Sequence, residues 1–239
     1  MSPKRGSLNS IYFIDENTGW IAGEYGTIRK TEDGGLSWAS KNGNTNEHLN
    51  FIYFSNTNSG WIVGDNGIIL RTQDGGNSWV KHSRTPSADL NSLYFSNEST
   101  GWITGSNNTL LMSTDQGRTW LSRSITPSNP LSVYFLDINE GWITDEGGNI
   151  YHTIDGGSIW YPQVRPLFWP LTSICFIDKE NGWAVGHNGT LIHTICGGKY
   201  WYYQDIGSGA DLNSLMMFDN QRGLAVGNHG VIVNIVPAQ

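Results

Sequence analysis

Short apolar segments alternate with polar turns along the whole chain, in a unit that recurs every 40 or 41 residues. Each unit begins with an apolar segment, such as residues 8–13 or 49–54, and a polar turn then leads to a segment that starts with Gly-Trp. A tight hairpin, a third apolar segment and a turn containing Asp and Gly follow. Short apolar segments between turn residues are typical of β-strands, and no part of the chain has helical periodicity over a useful length.

The Gly-Trp pair marks the period. Leu224 takes the place of this tryptophan in a sixth unit, which lacks the second turn and the fourth segment. A second tryptophan follows the first after eighteen residues in the five other units, which gives the pairs Trp20 and Trp38, Trp61 and Trp79, Trp102 and Trp120, Trp142 and Trp160, and Trp183 and Trp201. A fixed period near 40 residues with four short strands is typical of a β-propeller blade.

The sequence therefore predicts an all-β fold, a six-bladed β-propeller of four-stranded blades that forms a single domain over residues 1–239. The last blade is incomplete, and the seven residues before Leu8 are the candidates for completing it from the N-terminus. The predicted blades extend approximately over residues 8–48, 49–89, 90–130, 131–170, 171–211 and 212–239.

The turn before the second tryptophan has the pattern of an Asp-box, and residues 113–120 contain its complete form, SxDxGxTW. A short carboxylate accepts hydrogen bonds from the backbone N–H groups of its own turn. Equivalent residues of successive blades point outward around a rim, so they cannot converge on one site. We expect a structural role, rather than a catalytic or metal-binding one, for the turn aspartates Asp33, Asp74, Asp115 and Asp155.

Composition narrows the classes of partner. The formal net charge is −7, whereas a nucleic-acid surface requires a basic stripe. No apolar run approaches the roughly 20 residues that cross a bilayer, and the first seven residues lack the apolar segment of a secretory signal. His152 and His193 lie one blade apart without an indicated third ligand. We therefore expect a monomer without metal or other cofactor that neither binds nucleic acid nor inserts into a membrane.

Trp169 is the one tryptophan that the repeat does not require. It lies with Phe168 and Arg165 in the connection between the fourth and fifth units, where other connections are polar. Two interpretations are open, a hydrophobic plug over a gap between blades or an exposed platform for a ligand or partner.

Up-and-down alternation of the strands places the hairpin after each Gly-Trp segment on the same face as the connections between blades. Exposed hairpins are polar by default, but the corresponding residues here differ from blade to blade, as a specific site requires. The residues nominated for binding on this face are Glu24, Asp65, Glu146 and His187.

The combined pattern GWxxGxxGxIxxTxDGGxSW, clearest over residues 60–76, resembles the Ycf48/HCF136-like family of Asp-box β-propellers. The resemblance covers nearly the whole chain. It implies a non-enzymatic scaffold, of a kind known for photosystem II assembly, that holds a protein partner on its hairpin face. It also implies a location outside the cytoplasm, such as the periplasm, the thylakoid lumen or the secreted space.

Two other functions are open. Asp-boxes also occur in sialidases and other glycoside hydrolases, which implies a glycan as an alternative ligand for binding or cleavage on the same face. A hydrolase needs two convergent carboxylates, for which Glu24, Asp65 and Glu146 are the candidates. The arginines include no sialidase-like start motif, so no catalytic residue is assigned. The remaining alternative is an architectural module of a larger repeat protein.

Overall fold

Six antiparallel sheets follow one another along the chain, at the period that the sequence predicts. The computed structural model describes residues 6–82, 87–123, 129–163 and 168–236. Five of the sheets have four strands and the last has three. Within these ranges the helical elements are three short 3-10 turns, and none of them could span a membrane. The predicted all-β, six-bladed β-propeller fold is confirmed.

The contacts divide the chain into two compact units, residues 1–93 and 94–239, and the division falls inside the strand Leu90–Phe95. The first unit holds two complete blades, in which each strand pairs antiparallel with the next. Their strands are β1 (Leu8–Phe13), β2 (Gly19–Gly23), β3 (Thr27–Thr31) and β4 (Ala39–Asn42), then β5 (Leu49–Phe54), β6 (Gly60–Gly64), β7 (Ile69–Thr72) and β8 (Val80–Lys81).

The second unit continues the same order of strands. It holds the rest of the third blade of the chain and the fourth, fifth and sixth blades, the last of which has three strands. The strands are β9 (Leu90–Phe95), β10 (Gly101–Gly105), β11 (Thr109–Ser113), β12 (Leu121–Ser122), β13 (Pro130–Phe135), β14 (Gly141–Asp145), β15 (Ile150–Thr153), β16 (Tyr161–Pro162), β17 (Leu171–Phe176), β18 (Asn181–Gly186), β19 (Leu191–Ile195), β20 (Tyr202–Tyr203), β21 (Leu212–Met217), β22 (Gly223–Gly227) and β23 (Ile232–Ile235).

Glycine precedes the first tryptophan of a blade because a larger residue does not fit there. At Gly60, an added Cβ atom would lie 2.6 Å from the ring of Phe54, its partner on the neighbouring strand β5. An added Cβ atom at Gly182 would likewise lie 2.5 Å from the ring of Phe176. The Gly-Trp pair therefore lets an aromatic ring of the first strand lie flat across the second strand.

Successive blades pack through the tryptophan of one blade and the phenylalanine of the next. In the first unit, Trp20 stacks on Phe54 with ring centroids 3.6 Å apart, and Trp79 contacts the same phenylalanine edge-on. In the second unit, Trp142 stacks on Phe176 at 3.5 Å. Each stack lies inside a buried hydrophobic cluster that joins two blades. Aromatic burial between blades is therefore a main source of stability.

The hairpins after the Gly-Trp strands have the backbone angles that their Asn-Gly dipeptides predict. Asn66 and Gly67 have φ angles of 53° and 69°, and Asn188 and Gly189 have φ angles of 54° and 66°. Positive φ costs little for glycine and is tolerated by asparagine, which explains why this dipeptide recurs at the tips.

The last blade has three strands in the described part of the chain. Completion from the N-terminus depends mainly on residues 1–5, which lie outside the described residues. The strand β1 begins at Leu8 and belongs to the first blade. Completion of the last blade by the N-terminus therefore stays a prediction.

Candidate functional site

The Asp-box carboxylates are bonded within their own turns. Asp33 Oδ1 accepts hydrogen bonds from the Thr31 hydroxyl at 2.7 Å and from the Ser37 backbone N–H at 2.9 Å, and Oδ2 accepts one from the Ser37 hydroxyl. These hydrogen bonds lower the pKa of Asp33 to about 2, and the one from the Ser37 hydroxyl has the largest effect, followed by the one from the Ser37 N–H. Asp74 is held in the same way. Such bonding is what the structural interpretation requires.

The fifth turn departs from this pattern because Cys196 replaces the aspartate. Its Sγ atom lies 3.6 Å from the Thr194 hydroxyl and donates to the carbonyl oxygen of Tyr200 at 3.8 Å. In the complete turns, the residue equivalent to Tyr200 donates its backbone N–H to the carboxylate instead. Sulfur is a weak acceptor, so the side chain of Cys196 caps its turn poorly.

We expect Cys196→Asp to stabilise the protein by about 0.5–1.5 kcal/mol, the net value of one hydrogen bond. The measurement is the midpoint of urea unfolding. Asp74→Cys is the matched control, since it removes the same cap from a complete turn and should lower the midpoint. If Cys196→Asp unfolds at lower urea than the parent chain, the capping account of the fifth turn is wrong.

The two histidines of the third strands are packed against aromatic rings. His152 stacks on Trp142 with ring centroids 4.7 Å apart, and its Nε2 atom lies 3.2 Å from Glu140 Oε1. Lys179 contacts the other oxygen of Glu140 at 3.4 Å. His193 lies 5.6 Å from the ring of Tyr202. Burial lowers the pKa of both histidines. Each histidine therefore packs against an aromatic ring of its own blade.

In the first unit, the hairpin tips bond to the connections between blades. The Asp65 N–H donates to the His48 carbonyl oxygen at 2.9 Å, and the Gly26 N–H donates to the Glu47 carbonyl oxygen at 2.9 Å. The side chain of Glu24 accepts a hydrogen bond from the Ser7 N–H. Tips and connections of these two blades therefore share one face, called the hairpin face below, as strand alternation predicts.

The same face exists in the second unit. The His187 N–H donates to the Pro170 carbonyl oxygen at 3.0 Å, which places the fifth hairpin beside the connection that carries Trp169. Asn188 N–H donates to Asp211 Oδ1, and Glu146 Oε2 accepts from Asn129 Nδ2. Of the nominated residues in this unit, the structure thus brings His187 next to the Phe168–Trp169 connection.

Phe168 and Trp169 are both exposed, with 79% and 49% of their surface accessible. A hydrophobic plug would be largely buried, whereas both of these side chains keep a large part of their surface accessible. Arg165, the third residue nominated in this connection, lies outside the described residues.

Carboxylates are frequent on the hairpin face. Those at tips and connections of the first unit are Glu24, Glu47, Asp65 and Asp89, and those of the second unit are Glu146 and Asp211. Several take part in local hydrogen bonds, for example Asp89, which accepts from the Asn66 N–H. An excess of acidic side chains on this face favours partners that carry basic groups.

Sequence reasoning missed the connection residues that fix the tips. His48, Pro170 and Asp211 each stand immediately before the first strand of a blade, and each bonds to the tip of that blade. The constant offset from the first strand is a signal that could have identified them. Their backbone carbonyl groups, rather than their varied side chains, make the common contact.

A family model described as photosynthesis system II assembly factor YCF48 matches residues 3–88 and 85–165. No curated protein matches the sequence. A solved structure described as YCF48 bound to D1 peptide is 19% identical, with 99% of this chain and 95% of that chain covered and a TM-score of 0.61. YCF48 from Cyanidioschyzon merolae is 18% identical, with 99% and 97% covered and a TM-score of 0.58.

The fold is shared more widely. An ancestral GH74 enzyme is 15% identical, with 94% of this chain and 35% of that chain covered and a TM-score of 0.77. Similarity at this level of identity shows the fold alone, because one fold hosts many functions.

Proposed function

The chain belongs to the photosystem II assembly factor Ycf48 family, and from that membership we propose that it is a non-enzymatic assembly scaffold that holds a segment of a protein partner on its hairpin face. The observation that carries the proposal is the exposed pair Phe168 and Trp169 beside the fifth hairpin. The relative described as bound to D1 peptide supports a protein segment as the ligand.

Exposed aromatic side chains suit this role. Tryptophan offers a large contact area at a small cost in conformational entropy, and aromatic residues are enriched among those that dominate binding energy. Pro170 follows Trp169 directly, and its ring fixes one backbone angle. The Pro170 carbonyl oxygen is tied to the His187 N–H at 3.0 Å, so the pair is mounted on a connection bonded to the sheet.

The charges of the second unit indicate the chemistry of the partner. Glu146 and Asp211 lie at the tip and connection positions of this unit, and the chain as a whole carries a net charge of −7. A partner segment that presents an apolar side chain to Trp169 and basic side chains to these carboxylates would fit best. An acidic segment would be repelled.

The test is titration of the chain with the D1 peptide, with a scrambled peptide as the control for composition and a glycan array as the control for the alternative ligand class. We expect saturable binding to the D1 peptide and to no glycan. Binding to glycans without binding to the peptide would overturn the proposal in favour of a carbohydrate-binding protein. Equal affinity for the scrambled peptide would mean that the net charge of the peptide, rather than its sequence, determines binding.

Trp169→Ala should weaken peptide binding about tenfold, because truncation of an interface aromatic commonly costs more than 1 kcal/mol. Its thermal unfolding should change little, since half of the side chain is exposed. Tyr161→Ala is the matched control, because Tyr161 is equally exposed but lies on the outer strand β16. Deletion of a buried aromatic side chain costs about 3 kcal/mol or more. If Trp169→Ala loses that much stability and still binds the peptide, Trp169 does not belong to the binding surface.

A further inference from the structure

The first unit contains a small polar pocket beside the Asp-box turn of its first blade. The pocket has a volume of about 200 Å³ and is lined by Lys30, Glu32, Asp33, Ser37, Ala39 and Lys41. The strand β3 runs from the hairpin to the Asp-box turn, so the pocket lies toward the end of the blade that is opposite the hairpin face. Pockets for drug-sized ligands measure roughly 300–1,000 Å³, so this one fits a smaller molecule or a single ionised group.

The register of the two outer strands brings both lysines of the pocket to one face of the sheet. On these strands, Lys30 pairs with Ala39. Lys41 pairs with Ile28, two residues before Lys30. Because side chains alternate between the faces of a sheet, the two lysines point to the same side. This side meets the second blade, since Lys41 Nζ donates to Asn77 Oδ1 of its Asp-box turn at 2.9 Å.

Both ammonium groups keep hydrogen-bond donors for a further acceptor. Lys30 Nζ lies 2.7 Å from Glu32 Oε1 and 5.8 Å from the centroid of the Trp20 ring. Among the described residues, Glu32 is thus the hydrogen-bond acceptor for Lys30, and Asn77 is the acceptor for Lys41. A lysine ammonium has three donors. The side chain of Lys30 is only 10% accessible, and a buried cation requires anionic or polar partners.

The Glu32 carboxylate shows where an anion would lie. The hydrogen bond and the charge of Lys30 lower the pKa of Glu32, and the charge of Lys41 adds to the effect. The side chain of Glu32 is 74% accessible, and ion pairs at the surface contribute little to stability, so a ligand can replace this carboxylate. Asp33, the other carboxylate of the pocket, is instead bonded within its own turn.

The repeat does not require these three charged residues. In the four other complete blades, no lysine stands at the position of Lys30 or Lys41, and no glutamate stands at the position of Glu32. The corresponding residues are Arg71, Met112, His152 and His193 for Lys30, then His82, Arg123, Gln163 and Gln204 for Lys41, and Gln73, Thr114, Ile154 and Ile195 for Glu32. The combination is therefore particular to the first blade.

We propose that this pocket is a binding site for a small oxyanion, a phosphate or carboxylate group, which displaces the Glu32 carboxylate and is held by the ammonium groups of Lys30 and Lys41. Lysine binds such groups as a point charge whose donors form short, charge-assisted hydrogen bonds. The site is separate from the hairpin face and does not depend on the proposed protein partner.

NMR spectra of the ¹⁵N-labelled full-length chain, titrated with sodium phosphate and separately with sodium succinate, test this proposal. Sodium chloride keeps the ionic strength constant. We expect saturable shifts of the amide signals of residues 30–41 with at least one of the two anions, and unchanged signals in the second unit. Saturation by phosphate alone identifies a phosphate site, and saturation by succinate alone identifies a carboxylate site. The absence of saturable shifts at residues 30–41 with both anions would overturn the proposal.

Three variants separate a built site from general attraction of anions. Lys41→Gln should weaken binding about tenfold, because it removes a hydrogen bond from a charged donor. Glu32→Gln should tighten binding about two- to fivefold, because it removes the carboxylate that competes for Lys30. Lys179→Gln is the matched control, since Lys179 is an exposed lysine paired with Glu140 in the second unit, and its affinity should equal that of the parent. Equal effects of Lys41→Gln and Lys179→Gln, or weaker binding by Glu32→Gln, would contradict the site.

Discussion

Alanine in place of Trp142 should lower the free energy of unfolding by about 3–5 kcal/mol, the range for deleting a buried large aromatic side chain. Trp142 is completely buried, and two rings stack on it. Phe176 of the following blade lies 3.5 Å from it, and His152 of its own blade lies 4.7 Å away. Truncation would remove both stacks and leave a cavity at the junction of two blades.

Urea unfolding of Trp142→Ala, followed by circular dichroism, measures this loss. Trp38→Ala is the control, because Trp38 is only half-buried and makes an edge-on contact with the exposed Phe13. Its loss should be clearly smaller. A decrease below about 1 kcal/mol for Trp142→Ala would mean that the aromatic stacks between blades do not dominate stability.

Gly64→Ala should cost about 3 kcal/mol, at the upper end of the usual range for overpacking. An added Cβ atom at Gly64 would lie 2.0 Å from the carbonyl oxygen of His48. That oxygen already accepts the Asp65 N–H at 2.9 Å, so it cannot move away without loss of the bond that holds the hairpin tip. Both neighbouring groups are backbone, which leaves no side chain that could give way.

Gly209→Ala is the matched control for this substitution. The nearest atom to a Cβ at Gly209 is Asn188 Oδ1 at 3.7 Å, an ordinary contact, and alanine there should change stability by no more than about 0.5 kcal/mol. Equal midpoints of thermal unfolding for the two variants would contradict the steric account of the second glycine in the blade motif.

The fourth blade has another residue in place of this glycine. Asp145 occupies the position there, and the bond from the Glu146 N–H to the Asn129 carbonyl oxygen is 3.2 Å, longer than the 2.9 Å in the second blade. Asp145 is fully buried, and its side chain accepts the N–H of Asn149. The substituted side chain thus compensates by bonding within its own hairpin.

Most of the fold could be predicted because each blade is a local unit. The Gly-Trp pair, the Asn-Gly tips and the Asp-box each act within about 40 residues, so spacing alone identified the strands and turns. The burial of a given face could not be predicted in this way. Leu8 and Leu49 are the same residue in the same motif, yet Leu8 is exposed and Leu49 is buried, and a repeated motif carries no signal for that difference.

The candidate site was predictable only in part. Alternation of strands placed the tips and connections on one face, and the repeat singled out Trp169 as unexplained. The exposure of Phe168 and Trp169 was not predictable, because the connection that carries them has no counterpart in other blades. The choice of ligand also lies outside the blade motif, since the motif specifies the sheet rather than the residues at its rim.

The most direct test of the central claim, that the hairpin face around Trp169 holds a protein segment, is hydrogen–deuterium exchange of the chain with and without saturating D1 peptide. If the peptide binds there, exchange should be slower at residues 168–171 and at the fifth hairpin, residues 186–190, with little change at the Asp-box turn of residues 194–201. Slower exchange confined to the Asp-box turns, with residues 168–171 and 186–190 unchanged, would contradict it.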